Sequence, residues 1–271
     1  MTAPRLFGIL NITEDSFSDG GRHLDPAIAI EQARRLAAAG ADAIDLGAAA
    51  SNIAAKPVPV DEEIRRLAPA IAALQRDRIA VSVDSFAPEA QRFAIRQGVD
   101  FLNDIQGFDD PAVYPDLAAS NCRLVVMHAV QGRGRAQRLP VPAVDIWPRI
   151  EAFFTARIAA LEAAGIARGR LILDPGMGFF LSSDPRASLR ALTGIERLKR
   201  GFGLPVMISV SRKSFLAAVT GRQGPGELGA ATLAAELYAA ARGADYIRTH
   251  DPGALRDALK VMAALDDAAR G

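Results

Sequence analysis

The sequence holds one cysteine, Cys122, in 271 residues, so no intramolecular disulfide can form. A chain of this size without one fits a reducing compartment, and a cytoplasmic location is expected. Long apolar runs are also missing. No uncharged stretch approaches the ~20 residues that span a bilayer, so no membrane segment is expected. Neither sign of charge dominates: 32 basic and 31 acidic side chains leave a formal charge of +1. Such a chain has no global field to attract nucleic acid or an anionic membrane surface, so any anionic ligand must be caught by local groups. The start, Met1-Thr2-Ala3-Pro4, lacks the charged, apolar and small-residue regions of a secretion signal. No Gly-x-Gly-x-x-Gly follows the first apolar segment, which argues against a dinucleotide-binding doubly wound sheet. No linker, low-complexity tract or internal repeat of roughly 20–50 residues is found.

What is present is an ordinary globular balance, 50% hydrophobic and 23% charged. Short apolar runs alternate with helical patterns along the whole chain. Strands are expected at Leu6–Leu10, Ala43–Gly47, Ile79–Val83, Phe101–Leu102, Leu124–Met127, Leu171–Leu173, Pro205–Val210 and Asp245–Ile247. Helices are expected at Pro26–Ala39, Asp61–Leu74, Pro88–Gln97, Pro111–Ala119, Ile146–Ala164, Ser188–Arg200, Glu227–Ala241 and Pro252–Leu265, with Asp25 as an N-cap and Gly40 and Gly98 as C-caps. The strands are apolar throughout, which means burial on both faces, and alternating βα units mean parallel strands. Eight such units in one domain, residues 1–271, match the count and size of a (β/α)₈ TIM barrel.

In a barrel of this kind the active site lies at the carboxyl ends of the strands. Those ends carry Asn11, Asp45, Asp84, Asn103-Asp104, Met127-His128, Asp174, Ser211-Arg212-Lys213 and Arg248-Thr249-His250. One strand-end aspartate can be a helix cap or a loop anchor; a ring of them has no such ordinary explanation, because buried carboxylates need partners. The set divides by chemistry. Asp84, Asn103, Asp174 and Lys213 offer the acceptors and donors that suit a flat, nitrogen-rich heterocycle. Asn11, Arg248 and His250 suit an anion with a hard metal ion.

Gly8-Ile-Leu-Asn-Ile-Thr-Glu-Asp-Ser-Phe-Ser-Asp-Gly-Gly21 resembles the first-loop signature of the dihydropteroate synthases. Ser82-Val-Asp-Ser85, Asn103-Asp-Ile105, Leu173-Asp-Pro-Gly-Met-Gly178, Ser211-Arg-Lys-Ser214 and Arg248-Thr-His-Asp251 resemble the later motifs of that family, in order. The stretches Asp45-Leu-Gly-Ala-Ala-Ala-Ser-Asn52, Val125-Val-Met-His128 and Asp174–Ser182 resemble its sulfonamide-resistant branch. The resemblance implies that a pterin bearing a CH₂-pyrophosphate is joined to 4-aminobenzoate in folate biosynthesis, releasing pyrophosphate by a dissociative route. It assigns Asp84, Asn103, Met127, Asp174 and Lys213 to the pterin, with Asp84, Asp174 and Lys213 as the catalytic groups. It gives Asn11, Ser51, Arg248 and His250 to pyrophosphate, with Asn11 also the ligand of Mg²⁺. For aminobenzoate it offers Phe17, Phe179, Phe180, Arg212 and Ser214, with Phe215 a further candidate wall; for Phe179-Phe180, core packing is the default. The first loop, hinged at Gly20-Gly21, is expected to close over bound ligand. A homodimer through exterior helices is implied, the alanine-rich helix and the last helix offering the face.

The chain departs from the family at two loops. Asn52 stands where most members have arginine, with Lys56 nearby, and Leu181 stands where lysine is common. Two other readings share the pterin-holding residue types: a pterin-dependent methyltransferase barrel, and a catalytically silent homologue. Arg248-Thr-His250 and the long first loop favour the synthase over the first. The retained Asn11, Asp84, Asn103, Asp174, Lys213 and Arg248 argue against the second.

Overall fold

The structure, a computed structural model, describes residues 3–13, 25–49, 57–132, 134, 136–222 and 224–270. Among them are eight strands: β1 (Arg5–Asn11), β2 (Ala43–Gly47), β3 (Val81–Asp84), β4 (Phe101–Asp104), β5 (Arg123–Met127), β6 (Leu171–Asp174), β7 (Met207–Ile208) and β8 (Tyr246–Thr249). All pair in parallel, in the order β6-β5-β4-β3-β2-β1-β8-β7. The sheet's two ends meet through a single bridge, Leu173 to Val206, and the Leu173 N–H donates to the Pro205 carbonyl at 2.9 Å. The result is a nearly closed barrel, as the alternating pattern predicted. The α-helices are α1 (Pro26–Ala38), α2 (Val60–Arg76), α3 (Pro88–Gln97), α4 (Tyr114–Ala119), α5 (Ile146–Ala163), α6 (Pro185–Thr193), α7 (Ile195–Phe202), α8 (Ser214–Thr220), α9 (Gly229–Ala241) and α10 (Pro252–Ala268).

Period-two alternation along each strand builds two cores. One set of strand residues, such as Leu6, Ile44, Val83, Leu102 and Leu173, joins the helices in an outer core. The other set, Phe7, Ala43, Phe101, Val125, Ile172, Met207 and Tyr246, fills the amino-terminal half of the barrel interior. Rings of Phe7, Phe101 and Tyr246 meet edge to face there, with centroids 4.8–6.3 Å apart. Two residues further along the same face stand Asp45, Asn103, Met127, Asp174 and Arg248. The inner face thus changes from apolar to charged within one pleat, and the charged layer is the floor of the mouth.

Capping follows the expected chemistry at Asp25 and at Gly98. The Asp25 side chain accepts the Ala27 N–H, and Gly98 closes α3 with φ +72°. At α1 the cap is Ala39, with Gly40 one residue beyond it. The helix expected over Ser188–Arg200 is two helices, α6 and α7, broken at Gly194. A Cβ on Gly194 would lie 1.8 Å from Trp147 Cζ2, so the break is where the indole presses against the backbone. Pro111–Ala119 begins as a 3₁₀ turn before α4. The seventh strand pairs over Met207–Ile208 alone; Pro205 has no N–H to donate, and the chain turns off toward α8 after Val210.

Candidate active site

Arg248 is the pivot of the mouth. Its side chain is 12% exposed and projects from β8 across the interior. Nε donates to Asp45 Oδ2 on β2, and Nη2 donates to Asp84 Oδ2 on β3 at 2.7 Å. Asp45 is wholly buried and also accepts the Ser82 hydroxyl, with the Asn103 amide 3.5 Å away. One guanidinium is therefore aimed by carboxylates from two strands. Burial opposes the Arg248 charge, but Asp45 and Asp84 outweigh it and its pKa rises further. Burial pushes the Asp84 carboxyl up, against the pull of Arg248.

A second group forms around the loop after β6. Asp174 is 2% exposed and accepts the Gly176 N–H at 2.8 Å. Burial raises its carboxyl to about 6, with the Gly176 N–H and Lys213 opposing. Gly176 has φ +76°, and a Cβ there would sit 2.3 Å from the His128 carbonyl oxygen. Only glycine lets this loop pass so close to β5. Burial pulls the Lys213 ammonium down to about 8; Arg248 adds to the fall, and Asp174 and Asp84 resist it. Its Nζ lies 5.3 Å from the Phe180 ring centroid. Asn103 Oδ1, near the carboxyl end of β4, is buried with no hydrogen-bond partner. Met127, Ile105, Ala136 and Phe180 make a small apolar cluster, with half-buried Phe179 beside it under the Arg138 guanidinium.

The third group joins the turn after β7 to the end of β8. The Ser211 hydroxyl oxygen accepts the His250 backbone N–H at 3.2 Å and lies 2.9 Å from His250 Nδ1. With the hydroxyl hydrogen turned to Nδ1, the imidazole keeps its own hydrogen on Nε2. Burial, together with Arg212, Arg248 and Lys213, pulls the His250 pKa down to about 3, so the ring is neutral. Arg212 is exposed and holds a left-handed φ of +58°. Next to β8, Asn11 is exposed at the tip of β1. A Cβ on Gly47 would meet Asn11 Oδ1 at 3.4 Å and Asp84 Oδ2 at 3.9 Å. Glycine there leaves a hollow between the two.

The structure thus gathers Asp84, Asn103, Asp174, Lys213, Arg248 and His250 at one mouth, with Asn11, Met127, Arg212 and Ser214 on its rim. Phe17, Ser51, Asn52, Lys56 and the Gly20-Gly21 pair lie outside the described residues. Phe215 is buried in the outer core, as is Leu181, so neither reaches the mouth. His128 is structural: its Nδ1 meets the Pro175 carbonyl at 3.1 Å, and burial lowers its pKa to about 4. Asp104 likewise anchors its own loop, accepting the Gln106 and Phe108 N–H groups and the Gln91 amide. Sequence reasoning noted Asp45 at a strand end but gave it no part, and it missed Ser82 and Gly47. The period-two rule from Ala43 was the available signal for Asp45 and Gly47.

A parallel eight-stranded barrel with its charged layer at the carboxyl ends of the strands is a (β/α)₈ enzyme architecture. The pattern that defines the pterin binding enzymes matches residues 7–250. The chain is 61% identical over 265 residues to dihydropteroate synthase type-2 of Escherichia coli, covering 98% of this chain and 97% of that one. It is 54% identical to dihydropteroate synthase type-1 of Pseudomonas aeruginosa, over 94% and 91% of the two chains. Among solved structures, the Xanthomonas albilineans dihydropteroate synthase with 4-aminobenzoic acid superposes with a TM-score of 0.89 at 37% identity, covering 97% of this chain and 93% of that one. The same enzyme in complex with 7,8-dihydropteroate gives 0.84, over 98% and 95%. The chain belongs to the pterin-binding enzymes and, within them, to the dihydropteroate synthases, which are transferases. No described helix is long and apolar enough to cross a membrane.

Proposed function

We propose that the mouth joins a pterin bearing a CH₂-pyrophosphate to 4-aminobenzoate by a dissociative route, pyrophosphate leaving before the amine attacks. The observation that carries this reading is the Arg248 guanidinium clamped between Asp45 and Asp84, beside Lys213 and the unpartnered Asn103 oxygen. Asp84 and Asp174 accept the N–H edge of the pterin, the Asn103 oxygen accepts a further N–H, Lys213 donates to its carbonyl, and Met127 packs on its face. Fixed carboxylates around the ring stabilise the positive charge that develops on the pterin methylene. Arg248 and neutral His250, donating from Nε2, hold the pyrophosphate as it gains charge; Ser51, outside the described residues, joins this set on the family resemblance alone. Catalysis needs no Ser or Cys nucleophile, because the arylamine is already one; buried Cys122 stays outside the chemistry. The carboxylate of 4-aminobenzoate meets Arg212 and the Ser214 end of α8, with Phe179 and Phe180 as walls; Phe17, outside the described residues, is a candidate wall on the family resemblance alone.

Among the described residues, Mg²⁺ fits this donor set through Asn11. Among the described residues no group of three or more His, Cys, Asp or Glu side chains could hold a metal ion. Asn11 offers one hard amide oxygen beside the hollow over Gly47, and Mg²⁺ commonly takes one or two protein oxygens together with water and substrate phosphates. Bound there with pyrophosphate, Mg²⁺ would offset charge on the leaving group.

The same pocket tolerates sulfonamides in this reading. A sulfonamide extends past the volume of 4-aminobenzoate, so a wall of Phe179 and Phe180 rejects it and spares the substrate; the replacement of the usual second-loop arginine by Asn52 in the sequence motivates the same reading. Sub-micromolar inhibition by sulfamethoxazole at low 4-aminobenzoate would sink this part. Val261, Met262 and Leu265 leave an apolar stripe exposed on α10, which supports a homodimer through that helix; sedimentation at micromolar concentration as a monomer would overturn it. The test of the whole reading is pyrophosphate release from the pterin pyrophosphate. Full turnover requires 4-aminobenzoate and Mg²⁺ together; a methyltransferase or a silent homologue releases none.

A further inference from the structure

Two polar side chains on α9 are buried behind the barrel and take no part in the chemistry above. Thr232 is 6% exposed and Glu236 is 1% exposed. A spacing of four residues puts them on one face of the helix. Thr232 Oγ1 accepts the Arg212 N–H at 3.1 Å. That contact falls on the one residue of the β7 turn whose backbone is left-handed, a conformation that residues with a Cβ keep only where the surroundings enforce it. One turn further along the helix, the Glu236 carboxyl interacts with the side chain of Thr249, which pulls its pKa down. Thr249 is wholly buried, accepts the Asp251 N–H at 3.1 Å, and lies between Arg248 and His250 in the chain. The two held segments are themselves joined through Ser211 and His250.

An alanine-rich helix packed on a barrel has no need of a carboxyl group, and burying one is costly unless it is neutral or well bonded. Glu236 Oε1 has no partner. Burial raises its carboxyl to about 8; the Thr249 contact pulls it down and Asp251 pushes it up, so the group is a neutral acid near pH 7. A neutral acid can hold Thr249 without adding negative charge behind an anion site.

We propose that Thr232 and Glu236 are positioning residues for the leaving-group half of the mouth, Thr232 fixing the turn whose Ser211 meets His250, and Glu236, through Thr249, fixing the strand end that presents Arg248 and His250. The inference rests on the assignment of Arg248 and His250 to pyrophosphate. From one helix face, the two side chains set the distance between the turn after β7 and the end of β8.

The experiment compares the full chain with its Thr232→Val, Thr249→Val, Glu236→Leu and Glu236→Gln variants. It reads the affinity for inorganic pyrophosphate with Mg²⁺ by calorimetry, the KM for each substrate, and the melting temperature. Thr232→Val and Glu236→Leu each weaken pyrophosphate about five- to tenfold, the equivalent of one hydrogen bond, and raise the KM for the pterin pyrophosphate in step. In Glu236→Leu the KM for the aminobenzoate substrate stays within about twofold, because its half of the pocket is untouched; in Thr232→Val it rises too, because the turn that Thr232 holds carries Arg212. Glu236→Gln, neutral and still able to bond Thr249, stays within about twofold of the parent in pyrophosphate affinity and in both KM values. Equal losses for both substrates in Glu236→Leu, unchanged pyrophosphate affinity with only a lower melting temperature, or a Gln variant as damaged as the Leu variant would each overturn the inference. If Glu236→Leu does not fold, Thr249→Val decides, since it exchanges one hydroxyl for a methyl. A parent protein that binds no pyrophosphate overturns the functional reading first; a parent that binds it, with unaffected variants, overturns this inference alone.

Discussion

Replacing Asp45 by Asn tests whether the buried carboxylate aims Arg248. Asp45 is wholly buried, and the Arg248 side chain is 12% exposed. Asn keeps the shape and can still accept the Ser82 hydroxyl, so the change removes charge and little else. Removing one partner of a buried ion pair costs about 3–5 kcal/mol when the other charge is stranded. Here Arg248 keeps Asp84 at 2.7 Å, so the loss is nearer that of one charge-assisted hydrogen bond, about 1.5–3 kcal/mol. For a chain of this length that lowers the melting temperature by roughly 3–5 °C. Function suffers more than stability, because the guanidinium is freed to swing toward Asp84. A shift of about 1 Å in a positioning group can reduce kcat/KM about a hundredfold. Differential scanning calorimetry with a pyrophosphate-release assay reads both effects. A melting temperature within about 2 °C of the parent together with kcat/KM within about twofold would refute the reasoning.

Three further outcomes follow from the same geometry. Gly176→Ala places a Cβ 2.3 Å from the His128 carbonyl at φ +76°; the strain of about 1–3 kcal/mol displaces Asp174 and lowers kcat/KM roughly tenfold or more, checked by steady-state kinetics and melting. Lys213→Met lowers kcat/KM by at least about a hundredfold while the melting temperature at neutral pH holds or rises, because burial disfavours the ammonium it removes. The third concerns pH. Asp174, Asp104 and Glu236 have folded values raised to about 6, 6 and 8, above their unfolded values. Their contribution to stability is complete below the unfolded carboxylate range and is lost as pH rises through about 6 to 8. The ligand-free protein therefore melts at a lower temperature at about pH 8 than at about pH 5.5. Pterin N–H groups favour the ionised carboxylates, so pterin binding near pH 6 releases protons, read by calorimetry in buffers of different ionisation enthalpy; proton uptake would contradict this.

The barrel was legible because its signals are local and repeated. Apolar runs with a polar residue at each carboxyl end gave all eight strands, and the period-two step then carries a residue such as Asp174 onto the inner face. The break at Gly194 was not legible, because its cause, the indole of Trp147, lies on another helix. The seventh strand was overextended for a similar reason: its neighbour bonds over a single bridge, and pairing is a property of two strands. In the site, the residues that face a ligand could be read from strand ends. The residues that aim them could not. Asp45 acts through Arg248, 203 positions away in the chain, and Glu236 acts through Thr249 from behind the strand. Such partners are defined only once the barrel closes.

The dissociative reading has one direct measurement. The pterin pyrophosphate is prepared with a heavy-oxygen label between its methylene carbon and the first phosphorus, then incubated with the protein and Mg²⁺ without 4-aminobenzoate. If the mouth stabilises a cationic methylene, pyrophosphate departs, rotates and returns, and the label moves to a nonbridging position in recovered substrate; Lys213→Met slows that exchange. A label that stays in place, in protein that makes 7,8-dihydropteroate at full rate once 4-aminobenzoate is added, would contradict it.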